Sequence, residues 1–188
     1  MLYQSHPWHG INPGKEAPYY VNCVIEIPKG SKGKYEIQKE SGMLELNRVL
    51  FSSVHYPANY GFIPQTYCDD KDPLDVLVIC SIDVYPMSVM EAKVIGVMSM
   101  IDNEEEDAKI IAVARNDMSV NHINELSQLP PHTLLELTRF FEDYKKLEHK
   151  DVRVEKFSDK EIAYSVINDS IERYQKNREL LIKQMNTK

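Results

Sequence analysis

Apolar residues alternate with polar ones over the first half of this chain and recur at helical spacing later, which predicts a β-rich front and a helical back. In "VNCVIEI", residues 21–27, Val21, Cys23, Ile25 and Ile27 face one way and Asn22 and Glu26 the other, with Val24 the one apolar residue on the second face. That period of two predicts a half-buried strand. "KYEIQK" sets Tyr35 and Ile37 against Lys34 and Glu36, and "LELNRVL" follows across Ser41-Gly42, a hairpin signal. "DVLVICS", "SVMEAKVIGVMSMI" and "AKIIAVA" complete the strand candidates. Short strands separated by turn signals suggest a small barrel or sandwich.

The period changes from residue 119. In "PHTLLELTRFFEDYKKL", Leu134, Leu137, Phe141 and Tyr144 recur at helical spacing, Pro131 suits a first turn, and Glu142 with Lys146 makes a favourable i,i+4 pair. "SDKE" predicts a second helix, with Ser158 and Glu161 as a capping box ahead of Ile162, Val166 and Ile171. Neither an internal repeat nor a long linker divides the 188 residues, so one domain over 1–188 is expected.

Composition narrows the class. Hydrophobic residues make up 43% and charged residues 27%, ordinary for a globular protein, and no apolar run approaches the roughly 18 residues of a membrane span. "MLYQSHPWHG" lacks the basic segment and apolar core of a secretory signal, so a cytoplasmic protein is expected. Cys23, Cys68 and Cys80 form no Cys-x-x-Cys pair, and an odd number argues against a disulfide framework. A net charge of −7 disfavours a general nucleic-acid binder.

"DDKDPLD", residues 69–75, sets four aspartates just before an apolar strand. Pro73 pushes Asp72 toward an extended conformation, in which Asp70 and Asp72 point the same way and Asp75 arrives as the strand starts. "IDNEEEDAK" adds Asp102 and Asp107 between two further strands. Clusters offering only oxygen suit hard cations such as Mg²⁺, and a dication relieves the repulsion among clustered carboxylates. The bland alternative is a solvated acidic turn, which suits Glu104, Glu105 and Glu106 best. An EF-hand loop fits poorly, since Leu74 and Asp75 stand where a ligand and a glycine are wanted. Lys34 and Glu36 on one polar face, Glu26 on the preceding strand, Arg48, Lys109, Tyr56 and Tyr60 gather cations and phenols near these acids. Taken together they describe metals and cations around a polyanion.

"DKDPLD" resembles the Asp-x-Asp-Pro-x-Asp signature of soluble family I inorganic pyrophosphatases. "IEIP", "KYE", "ESGMLELNR", "YPANYGFIP", "IDNEEEDAK" and "FFEDYK" match the family in order, across residues 25–145. The resemblance implies an α+β, mainly β fold: a five-stranded barrel of the oligonucleotide-binding type with helices packed outside. It also implies Mg²⁺ as cofactor and hydrolysis of pyrophosphate to two orthophosphates. Carried over, Asp70, Asp75 and Asp107 hold an activating metal, Asp75 shares a second, Asp102 with Asp107 takes metal arriving with substrate, and Glu26 a further one. Asp72 is the general base, with Tyr60 beside it. Lys34, Arg48, Lys109, Tyr144 and Lys145 grip phosphate, and Glu36 and Tyr56 line the same cavity. Relatives of this length imply a homohexamer. Lys71 and Asn103 depart from the usual pattern and receive no catalytic role. "HPWHG", with His6 and His9, is expected to form a docked N-terminal arm, and His55 to be structural.

Two rivals share part of this picture. A nucleotide hydrolase would need a phosphate-binding loop, yet in "KGSKGKY" only two residues separate Gly30 from Gly33, and Tyr35 replaces the Ser or Thr after Lys34. An oligonucleotide-binding module would need a basic groove with stacking aromatics, which the carboxylates oppose.

Overall fold

The computed structural model describes residues 5–185. Eight strands form: β1 (Tyr20–Ile27), β2 (Gly33–Ile37), β3 (Leu44–Val49), β4 (Asn59–Phe62), β5 (Asp75–Ile79), β6 (Val89–Asp102), β7 (Glu105–Ala114) and β8 (Val152–Ser158). Two helices follow the expected division of the chain, α1 (Pro131–Asp143) and α2 (Lys160–Met185). Among the described residues no helix is long and apolar enough to cross a membrane.

The strands β1, β4, β5, β7 and β6 pair in that order, and β6 pairs back onto β1, so five strands close a ring. Closure removes the exposed edges an open sheet would present. β6 makes this possible by pairing with β1 at its start and with β7 and β8 further on. Its register slips between Val94 and Gly96, and a Cβ at Gly96 would lie 2.5 Å from Leu126 and 2.8 Å from the Ser158 carbonyl. Only glycine fits where this long strand bends between its partners. The β2–β3 hairpin stands apart as its own two-stranded sheet.

Alternation along β5 and β7 divides their side chains between two cores. Leu77, Ile111 and Val113 join a cluster with Phe140 and Phe141 of α1, whereas Val76, Val78, Ile110 and Ala112 join Ala163 and Ile167 of α2. Each large side chain removed from water in this way is worth about 1.5–3 kcal/mol before entropy is subtracted. β1 is not half-buried as its period of two predicts: Val24 and Glu26 on its second face are only 0% and 6% exposed, Val24 being packed in a third cluster with Trp8, Ile37 and Phe62.

Further differences have local causes. β4 and β8 were not expected. β4 is four residues long and buried throughout, with no alternation to see, and β8 sits in the stretch that reads as helical. Ser158 ends β8, and Asp159 caps α2 by accepting the Ile162 N–H at 3.1 Å, one residue later than the expected capping box. The buried face of α2 is Ala163, Ile167, Ser170, Tyr174 and Leu181, while Ile162 is exposed. Because α1 ends at Asp143, Lys146 pairs with Asp143 rather than with Glu142, which Arg139 takes. Pro131 does open α1.

Candidate functional site

Strand register brings the two acidic segments together. β5 and β7 run parallel with Asp75 opposite Lys109, and Asp107 precedes Lys109 by two residues, on the same face of β7. Lys109 therefore lies between Asp75 and both oxygens of Asp107, the latter at 2.7 Å, and is only 4% exposed. Burial opposes its charge, but the Asp75 and Asp107 carboxylates outweigh it and hold the ammonium well above its usual range. Tyr60, on β4, faces the same cavity, and burial, with the Asp75 and Asp107 charges adding to it, raises its phenol well above the ordinary value.

The aspartates of residues 69–75 reach the site by a turn, not by the expected extended run. The Cys68 N–H donates to the Asp72 carbonyl at 2.9 Å and the Lys71 N–H to the Cys68 carbonyl at 3.1 Å. The Asp72 N–H donates to Asp70 Oδ1 at 3.0 Å, and Lys71 adopts φ +69°. Partial burial and the neighbouring Asp72, Asp75 and Asp107 raise the Asp70 carboxyl, against the pull of the Asp72 N–H. Burial likewise raises Asp107, with Asp75 adding to the effect against the pull of Lys109.

The remaining walls come from β1, β2, the end of β6 and the residues after α1. Glu26 of β1 accepts the Ile37 N–H at 2.8 Å, yet burial pushes its carboxyl up to about 8. Lys34 and Glu36, two apart on β2, pair with one another. Beyond α1, Tyr144 and Lys145 both reach Asp102 Oδ2, Tyr144 at 3.4 Å. Asp102 Oδ1 is buried without a hydrogen-bond partner.

These side chains surround one cavity of about 370 Å³, which brings together every expected site residue except Arg48 and Tyr56. Tyr56 is buried behind the wall, edge-on to Tyr60 at 5.5 Å and against Phe140 at 4.7 Å. Arg48 is held by Glu148, Nε to Oε1 at 2.7 Å, and its buried Nη2 has no hydrogen-bond partner. Lys39 and Trp8 also line the wall, and neither was given a role there from the sequence. Lys39 pairs with Asp72 from the β2–β3 turn, out of phase with Lys34 and Glu36. Trp8 reaches the wall from far along the chain, and no spacing pattern marks it.

Among the described residues no three His, Cys, Asp or Glu side chains form a ready-made cation site. The donor chemistry nonetheless suits a hard dication: the acids offer only oxygen, Asp70, Asp107 and Glu26 are raised, and Asp102 keeps a buried oxygen unpaired.

The family model for inorganic pyrophosphatase matches residues 23–175. The chain belongs to the inorganic pyrophosphatase family. It is 54% identical over 173 residues to soluble inorganic pyrophosphatase 2 of Chlamydomonas reinhardtii, covering 92% of this chain and 90% of that one. Soluble inorganic pyrophosphatase 4 of Arabidopsis thaliana is 52% identical over 170 residues, 90% of this chain and 79% of the relative. The inorganic pyrophosphatase of Thermus thermophilus superposes with TM-score 0.85 at 38% identity, covering 88% of this chain and 97% of that one. That of Helicobacter pylori does so with TM-score 0.84 at 40% identity, covering 88% and 98%. These likenesses bear out the ringed, mainly β fold and make the chain an enzyme, an inorganic diphosphatase, rather than a binding module.

Proposed function

We propose that this chain hydrolyses inorganic pyrophosphate to two orthophosphates, using Mg²⁺ held by Asp70, Asp75, Asp102, Asp107 and Glu26. The observation that carries this reading is one cavity in which the carboxylates of Glu26, Asp70, Asp72, Asp75, Asp102 and Asp107 are interleaved with Lys34, Lys39, Lys109 and Lys145. Bound there, the dications would make a water acidic enough to act as nucleophile near neutral pH and would offset charge on the phosphate oxygens.

The chain's own groups supply the rest. Asp72, at the half-exposed mouth, is placed to accept the proton of the attacking water, the task of a general base. Tyr60, in the same wall, supports that position. Lys109, Lys145 and Lys34 each stand beside a carboxylate, so exchanging that partner for a phosphate oxygen keeps every ammonium paired. Tyr144 donates to the same anion. Arg48 brings a guanidinium edge with an unspent donor, and Glu36 and Tyr56 hold Lys34 and Tyr60 in place. Positive charge facing a loose, in-line phosphoryl transfer is what that reaction needs.

Phosphate release from pyrophosphate with and without Mg²⁺ tests the reading, and no release in Mg²⁺ would refute it. ATP turned over as fast as pyrophosphate would refute the substrate assignment. We carry a cytoplasmic homohexamer as part of the same proposal. Light scattering that returned the mass of one chain, 21.8 kDa, would remove the oligomer from it.

A further inference from the structure

The segment His6–Gly10 precedes residues 23–175, which the family model matches, yet Trp8 forms part of the cavity wall while being only 2% exposed. Its indole Nε1–H donates to the Thr66 carbonyl at 2.8 Å, and its own carbonyl accepts the Gln65 N–H at 2.9 Å. Gln65 also donates from Nε2 to the His9 carbonyl at 3.0 Å. Thr66 passes the constraint on, because its Oγ1 accepts the Leu74 N–H at 2.8 Å while donating to the Ile63 carbonyl. Leu74 stands between Asp72 and Asp75, so two hydrogen bonds separate the indole from the backbone that aims the proposed base and a proposed metal ligand.

The segment holds two other elements. His9 Nδ1 lies 2.9 Å from the Tyr174 hydroxyl of α2, with the two rings stacked at 5.7 Å. Gly42, in the turn of the β2–β3 hairpin, has φ +69°, and a Cβ there would fall 2.7 Å from Pro7 and 2.9 Å from His6. The hairpin that presents Lys34 and Glu36 therefore rests directly on this arm.

We propose that His6–Gly10, acting through Trp8, is a positioning element of the pyrophosphate site that braces the aspartate turn against the β2–β3 hairpin. The inference rests on the pyrophosphatase reading above. A merely structural Trp8 would fill its apolar cluster with Val24, Ile37, Phe62 and Tyr174 and nothing more. Trp8→Phe separates the two roles, since it keeps an aromatic ring in that cluster but removes the donor to Thr66.

In the full chain, Trp8→Phe is expected to melt cooperatively while kcat in Mg²⁺ falls about tenfold and KM stays within about twofold, since small misalignments act on turnover. Exchange of the Leu74 amide, read by hydrogen–deuterium exchange without substrate or metal, is expected to speed up by about tenfold as its acceptor loosens. Trp8 is the chain's one tryptophan, so the emission of the unmodified protein is expected to shift when Mg²⁺ alone is added. Should Trp8→Phe fail to fold, Gln65→Met removes the side-chain donor that ties the His9 carbonyl to the residue before Thr66 and leaves the indole's packing in place, and the same loss of kcat and of Leu74 protection is expected. Values of kcat and Leu74 exchange both within twofold of the unmodified chain, in whichever variant folds, would overturn the proposal. An unmodified chain that releases no phosphate would overturn the functional reading instead, and Leu74 exchange would still judge the brace.

Discussion

Two cavities share Asp70, Asp75 and Asp107 in their walls and are nearly equal in size, about 370 and 390 Å³. In the first, carboxylates meet ammonium groups from other parts of the chain, as Lys109, Lys145 and Lys39 do with Asp75, Asp102 and Asp72. The second lies toward α2, where Glu106 and Asp169 are exposed and Arg173 pairs at 2.5 Å with an Asp69 side chain that is itself 92% exposed. A surface pair of that kind contributes about 0–1 kcal/mol. Volume therefore does not single out the proposed site. What sets it apart is charge of both signs at fixed spacing, with the Lys109 and Lys145 pairs largely out of water, where each interaction is stronger than in solvent.

Substitutions on either side of the shared wall test that contrast. Asp72 lines the first cavity alone, and Asp72→Asn is expected to lower kcat by roughly 10²–10⁴-fold while calorimetry finds most Mg²⁺ affinity intact. Asp75 belongs to both cavities, and Asp75→Asn is expected to weaken Mg²⁺ binding by at least the roughly 10–100-fold seen when outer partners of a metal are lost. Asp169 belongs to the second alone, so Asp169→Asn should leave turnover and Mg²⁺ binding close to unmodified. Equal losses at Asp75 and Asp169 would erase the distinction.

A smaller effect comes from the arm beneath the first cavity. Burial, followed by the charges of His6 and Arg178, lowers His9 to about 4 from 6.5, with the Tyr174 hydroxyl also facing the ring. The unfolded chain then binds a proton below pH 6.5 that the folded chain refuses until about pH 4, so this contribution is full above pH 6.5 and is lost as pH falls toward 4. The loss is on the order of 3 kcal/mol. Denaturant midpoints across that window should fall less steeply for His9→Gln than for the unmodified chain. An unchanged slope would show that the ring is not what the acid limb reports.

Smallest of all is Lys71, at the outer edge of the aspartate turn between the two cavities. Its φ of +69° lies in the left-handed region that favours glycine. Lys71→Gly is expected to raise stability by up to about 1 kcal/mol, the strain removed outweighing the added freedom of the unfolded chain. A lower melting temperature would show that the lysine side chain contributes more than its backbone strain takes away.

The same residues show what sequence could and could not convey. Lys34 and Glu36 share a polar face because strand periodicity is local, and β2 keeps it. Burial of Glu26 was invisible because it depends on what covers the second face of β1, a tertiary fact. The aspartate stretch reads as extended because Pro73 biases Asp72 that way, but the Cys68–Asp72 and Lys71–Cys68 hydrogen bonds and one left-handed residue override the bias. Most of the cavity could be listed from the family motifs, since those motifs quote residues that lie far apart in the chain. Lys39 and Trp8 escaped because they enter through a hairpin turn and an N-terminal arm that the motifs do not describe.

Among the described residues β5 and β7 are the only neighbouring strands that run parallel. That pair sets Asp75 opposite Lys109, and a slip of one residue would send every side chain of the shifted strand to the other face. The protein is thus indexed like a ruler at one mark. Asn103 and Glu104, both left-handed in the tight turn joining β6 to β7, lie outside the β5–β7 alignment, so a lineage can lengthen that turn without moving the mark. A single codon gained or lost within β5 or β7 has no such latitude, because it would separate Asp75 from Lys109.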